Sequence, residues 1–224
     1  MLLTILLAIL PVAVVFYYVY RKDYDPEPPR TLVFAFLLGC VSVIPALGGE
    51  LVLHTENLAI EMFCNVALVE ESVKLAVLML FIWKHADFDD SFDAIVYSVT
   101  VSLGFAAVEN IMYVIRGGLS VAIIRALFSI PGHASFAILM GVFFAKAKRH
   151  FHYGRRQQQY LNLFFALLTA VLTHGTYDYL AVSSTGSDRI AVWLLAFVVV
   201  LDIICIVIVH NASKNDSPLE QDDS

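Results

Sequence analysis

This sequence has little charge. Of its 224 residues only 15% are Asp, Glu, Lys or Arg. A soluble globular chain carries about a quarter, so a soluble domain of this length is excluded. Cysteine is scarce as well. Cys40, Cys64 and Cys205 each fall inside an apolar run and form no CxxC pair, which excludes a disulfide framework and a thiolate metal centre. No Lys or Arg precedes the first hydrophobic run. A cleavable signal peptide opens on a basic stretch, so that run is expected to stay as a first membrane span. What fills the composition instead is 59% hydrophobic residues, at a mean hydropathy of +0.77. The expected class is all-α, a polytopic membrane helix bundle of about seven transmembrane helices with no soluble domain. The net charge of −6 decides little, because Asp216, Glu220, Asp222 and Asp223 crowd the last few positions. No nucleic-acid partner is expected.

Polar punctuation divides the chain. Residues 1–20 form the first span, and 21–30 a charged loop stiffened by Pro26, Pro28 and Pro29. A second span, 31–53, is expected to break at Pro45 and Gly48-Gly49 and to end near Glu50. The third runs over 58–83 and the fourth over 91–115, with a short polar turn at 84–90 between them. Arg116-Gly117-Gly118 turns the chain into a fifth, 119–145, interrupted at Pro131-Gly132. Residues 146–159 read as the most basic loop. The sixth span reaches about residue 182, 183–187 is a turn, and the seventh covers 189–210. Residues 1–210 thus form the bundle and 211–224 a polar, disordered tail.

Orientation follows from the cations. Loops one, three and five with the tail carry Arg21, Lys22, Arg30, Lys84, Lys146, Lys148, Arg149, Arg155, Arg156 and Lys214. The opposite loops carry Arg116 and Arg189. The N-terminus is therefore expected outside and the C-terminus in the cytoplasm.

The most informative stretch is Glu70-Glu71-Ser72-Val73-Lys74, set in the middle of the third span. One ionised group at the bilayer centre costs at least about 2.5–3.5 kcal/mol, so two acids and a base must offset one another. On a helix Lys74 is i+4 from Glu70 and i+3 from Glu71, within reach of both but not equally, which leaves one carboxyl for other work. Glu109 and Asn110 lie in the fourth span, Arg125 and His133 in the fifth, His174 and Asp178 in the sixth, and Asp202 in the seventh. His174 and Asp178 are i,i+4, so the aspartate can fix the histidine's tautomer, or both can reach one metal. Four spans place acid or imidazole groups at a similar depth, which asks for a shared polar cavity. Arg125 reads as a bridge between carboxylates, Asp93 and Asp202 as interface or packing residues, and Glu50 and Glu61 as facing the outer water.

Taken in order, EExxK (70–74), FxxxEN (105–110), the element from Arg125 to His133 with Pro131 and Gly132 before the histidine, and HxxxD (174–178) resemble the PrsW family of bacterial intramembrane proteases, distant relatives of the CAAX-prenyl endopeptidases. The resemblance runs from the first spans through the sixth. It implies hydrolysis of a peptide bond of a membrane-protein substrate in a bacterial cell membrane, with an anti-sigma factor as the substrate of the best-known members. It also implies Glu70, Glu71, Lys74, Glu109, His133, His174 and Asp178 as the site.

The residues themselves agree with that chemistry. Hydrolysis needs a base for water, an acid for the leaving amine and stabilisation of the oxyanion. Glu70 or Glu71 can serve as the base, with Lys74 orienting the pair. Two versions stay open. Glu109, His133 and His174 can hold zinc with a position open for water. Alternatively the site works without metal as a glutamate protease, as the CAAX relatives are thought to. Against both stands a transporter that uses the buried Glu, His and Asp as a proton or metal-ion relay. A non-catalytic sensor is the third reading.

Overall fold

The computed structural model describes residues 2–219. Among them the one extended pairing is an isolated antiparallel bridge between Asp90 and Pro218, and nearly everything else is helix. Helix α1 is Leu2–Tyr20 and α2 is Pro29–Leu53. Helix α3 covers residues 58–82 and is not uniform. Its central α-helical segment Leu68–Val77 is flanked by two wider π-helical stretches, Glu61–Ala67 and Leu78–Ile82. The run that follows, Asp93–Ile124, is helical on both sides of Gly118 but not through it, since Gly118 has φ 69° and ψ −155°. Only glycine takes that conformation without strain, and there the chain doubles back. We name the limb 93–117 α4 and the limb 119–152 α5. The second limb contains a π turn, Arg125–Ser129, and then the α-helix Ile130–His152. Helices α6 (Arg156–Ser184) and α7 (Asp188–Lys214) complete the bundle.

Helix α4 is the axis of the fold. Every residue from Asp93 to Ala107 is buried, as expected of a helix with neighbours on all sides. Helices α1 and α2 pack on it, and α5 lies antiparallel, with Ser102 Oγ donating to the His133 carbonyl at 2.9 Å. Lipid-exposed helices gain little from the hydrophobic effect when they meet, so close backbone approach has to hold them together. Gly39 and Gly104 provide it reciprocally. A Cβ at Gly39 would stand 2.1 Å from the Val101 carbonyl oxygen, and one at Gly104 2.1 Å from that of Phe36. The outer rods turn large apolar side chains outward, among them Val52, Leu80, Trp193 and Ile203. Three runs, Pro29–Leu53, Asp93–His152 and Asp188–Lys214, are long and apolar enough to cross a membrane by length and composition, the middle one being the folded pair α4–α5. The protein is a multi-pass, all-α membrane bundle.

Loops 21–28, 83–92 and 153–155 and residues 215–219 meet at one end. Thr31 Oγ1 donates to Asp87 at 2.5 Å and Tyr97 to Glu27 at 2.7 Å. Asp216 Oδ1 accepts from Ser91 Oγ at 2.9 Å and from the Phe92 amide at 2.8 Å. Arg149 donates to Ser217 at 2.8 Å, and Lys148 to the Trp83 carbonyl. Burial pushes the Asp23 carboxyl up to about 6 and that of Glu27 up to about 7.

The structure departs from sequence expectation in its punctuation. Helix α2 runs unbroken through Pro45 and Gly48-Gly49 to Leu53. A membrane helix tolerates the lost N–H because neighbouring helices and side chains re-satisfy the freed groups. The expected break at Pro131-Gly132 is also absent, and the irregularity falls earlier, in the π turn Arg125–Ser129 that places Pro131 in the first turn of the next helix, where its missing N–H costs nothing. The basic loop shrinks to residues 153–155, because Lys and Arg are good helix formers and α5 and α6 extend beyond the apolar zone. Residues 211–214 complete α7 and 215–219 fold back onto loop 83–92, while residues 220–224 of the expected tail lie outside the described residues.

Candidate active site

The segment Leu68–Val77 turns Glu70, Glu71 and Lys74 toward the α4–α5 pair and α6. Lys74 Nζ lies 2.7 Å from Glu71 Oε1 and 3.2 Å from Glu70 Oε2, so it does serve both acids, and unequally. It also stands 4.2 Å from the centre of the Phe105 ring and 3.5 Å from His133 Nδ1. From α6, His174 Nδ1 approaches Glu71 Oε1 at 2.8 Å, and His174 Nε2 approaches Asp178 Oδ2 at 3.1 Å. The i,i+4 pair read from the sequence is therefore formed. Phe136 stacks on the His174 ring at 4.8 Å and fixes its plane. On the far side, His133 Nε2 meets Glu109 Oε2 at 2.8 Å, and the same oxygen meets Arg125 at 3.0 Å.

All seven residues singled out from the sequence thus fall in one connected group drawn from α3, α4, α5 and α6. Glu71 and Lys74 are at most 1% exposed, and Glu70, His133 and His174 at most 4%, so these charges are balanced by one another and not by water. The rim is less closed. The side chains of Glu109 and Arg125 are 15% exposed and that of Asp178 is 22%.

Glu50 was missed. It does not face open water but is half-buried at the end of α2, near enough to Glu109, Asp178, His174 and Lys74 for their charges to act on it. Glu61 turns back to its own helix start, bonding His54 at 2.9 Å and the Thr55 amide at 2.8 Å. Arg125 pairs with one carboxylate, Glu109, and with Asn110, so the expected bridge between carboxylates is not formed. Asp202 accepts from Ser135 at 2.8 Å, outside the group.

Ligand atoms of Glu70, Glu71, His133 and His174 lie within 4.8 Å of one another. Of the three residues expected to hold a metal, His133 and His174 belong to this set. Glu109 stands behind His133, on its other nitrogen. Two observations favour a divalent cation here. Glu71 Oε2 is buried without a partner. The four carboxylates of the contact network, Glu70, Glu71, Glu109 and Asp178, outnumber the cations they face, which are Lys74, Arg125 and His174 with a carboxylate on each ring nitrogen. Two imidazoles and two carboxylates are also a donor set that suits zinc.

A polytopic helix bundle that buries paired glutamates, a lysine and two histidines in one cluster has the build of a membrane-embedded hydrolase. Residues 27–205 match the family described as PrsW family intramembrane metalloprotease. The chain belongs to that family and is an intramembrane protease. It is 36% identical to Protease PrsW of Oceanobacillus iheyensis over 92% of this chain and 94% of that protein. It is 36% identical to Protease PrsW of Geobacillus kaustophilus, over 83% and 84%, and 35% identical to that of Bacillus subtilis, over 85% and 86%. No solved structure matches the chain. The transporter reading finds no support.

Proposed function

We propose that this protease cleaves a peptide bond of a single-span membrane protein, of which an anti-sigma factor is one example, using Glu70 as general base beside a zinc ion. The observation that carries the reading is the buried cluster of Glu70, Glu71, His133 and His174. Glu71 is held on one oxygen by both Lys74 and His174. Glu70 makes only longer contacts, with Lys74 at 3.2 Å and His174 at 4.0 Å, and so is freer to accept a proton. Its carboxylate takes a proton from water as the oxygen adds to the carbonyl carbon. The same proton then passes to the leaving amine as the C–N bond breaks, which balances the step. Lys74 keeps the two carboxylates apart and oriented, and its N–H groups are the nearest donors for a developing oxyanion. His133 Nδ1 and the unpartnered Oε2 of Glu71 would hold the zinc, and His174 would join them by giving up the proton that its Nε2 shares with Asp178. When bound, it polarises the scissile carbonyl and lowers the pKa of the water.

Metal content is the direct test. Protein purified without chelator should carry close to one zinc per chain. Strong chelation should stop cleavage of a fluorescence-quenched single-span peptide until zinc is restored, and metal should be lost as histidine protonates on acidification. A metal-free preparation with full activity overturns the zinc assignment and leaves Glu70 to act on water without it.

The end that gathers loops 21–28, 83–92 and 153–155 with residues 215–219 also carries most of the cations. We assign it to the cytoplasm of a bacterial cell and the N-terminus to the outside. In a variant lacking Cys40, Cys64 and Cys205, an impermeant thiol reagent applied to intact cells should label a cysteine at Thr185 and spare one at Gln158. The reverse pattern inverts the topology.

A further inference from the structure

We infer that Arg125 is a positioning residue, which clamps Glu109 and thereby holds the proton of His133 on Nε2 and turns the Nδ1 lone pair into the catalytic cluster. The inference rests on the site assignment above and concerns a residue outside the seven assigned to the site. Arg125 opens the π turn that follows the Gly118 elbow, so it reaches back across the α4–α5 hairpin. Three α4 side chains receive it. Its Nε donates to Asn110 Oδ1 at 2.8 Å, its guanidinium carbon lies 4.1 Å from the centre of the Tyr113 ring, and Nη2 stands 3.0 Å from Glu109 Oε2. Asn110 is fully buried. The planar guanidinium is thus fixed at its base by a hydrogen bond and on its face by an aromatic ring, which a lysine cannot reproduce.

The contact with Glu109 has a particular character. Nη2 is close enough for ion pairing, yet no directed hydrogen bond runs from it. The directed bond at Glu109 Oε2 is the one with His133 Nε2, at 2.8 Å. Arg125 therefore supplies charge and place to the carboxylate while leaving its acceptor direction to the histidine. An ionised carboxylate only accepts, so the proton sits on Nε2. Nδ1, 3.5 Å from Lys74 Nζ, is then the nitrogen that presents a lone pair inside the cluster. A carboxylate behind a histidine is the usual means of fixing tautomer and ring orientation at a reactive or metal-binding site.

The purified full-length protein in nanodiscs, labelled with 15N-histidine, decides it. His133 signals are assigned by their loss in His133→Gln. Wild-type His133 should show the Nε2–H tautomer. Arg125→Met should mix the tautomers and lower kcat on the quenched single-span peptide by about 10–100-fold, the usual cost of losing such an outer partner, with KM little changed. Arg125→Lys should restore part of kcat and part of the tautomer preference. If Arg125→Met fails to accumulate, Tyr113→Leu removes only the stacking and should move both readouts the same way, less far. An unchanged His133 tautomer, or a fall in kcat that only follows the fraction of folded protein, overturns the clamp. A wild-type protein that turned over nothing would sink the protease assignment instead, and the tautomer measurement would still judge Arg125.

Discussion

Glu70→Gln should lower turnover by about 10²–10⁴-fold, the range that a positioned general base contributes. Glutamine keeps the shape of the side chain and can still accept from Lys74, so the cluster loses a proton acceptor and little else. Lys74 remains paired with Glu71 at 2.7 Å. Accumulation in the membrane should stay normal, since removing an intramembrane charge eases insertion. Peptide cleavage in nanodiscs and the amount of protein in the membrane fraction give the two readings. Wild-type cleavage by Glu70→Gln together with an inactive Glu71→Gln would transfer the base to Glu71. Activity in both variants would remove the glutamate pair from the mechanism.

His174→Ala should be equally severe for a different reason. His174 is the one side chain that touches both Glu71 and Asp178, and its ring packs flat on Phe136. Alanine strips a partner from two carboxylates, one of them fully enclosed. Removing one member of a buried charged pair costs about 3–5 kcal/mol, so this variant should lose thermal stability as well as cleavage. Glu70→Gln should lose only cleavage. A His174→Ala protein with wild-type turnover would take the histidine out of the site. One with wild-type stability would show that Lys74 alone compensates Glu71.

The contrast between these variants reflects what a sequence can and cannot display. The Glu70–Lys74, Glu71–Lys74 and His174–Asp178 contacts were legible because each spans three or four residues of one helix, where period alone fixes the neighbours. The pairing of Glu109 with His133 was not. It depends on the antiparallel register of α4 and α5, set by a reversal at Gly118 and a π turn at Arg125–Ser129, and neither has a length that can be read from residue types. Spacing likewise cannot say whether a carboxylate stands beside a histidine or behind it, which is why Glu109 was grouped with the expected metal ligands. The sequence places Glu50 at a helix end facing water, but α2 continues to Leu53 and keeps it half-buried. A signal was present in Gly48-Gly49, since small residues mark close helix approach, and a Cβ at Gly49 would stand 2.7 Å from the Val69 side chain, one residue before Glu70.

The Gly118 elbow also bears on how the chain enters the bilayer during synthesis. Helix α4 carries Glu109 and α5 carries Arg125, each within an apolar limb, and a charge entering lipid alone meets a penalty of at least about 2.5–3.5 kcal/mol. The reversal sets the two side chains opposite one another, 3.0 Å apart. The limbs can therefore leave the translocation channel as one neutralised hairpin, with neither charge presented to hydrocarbon unaccompanied.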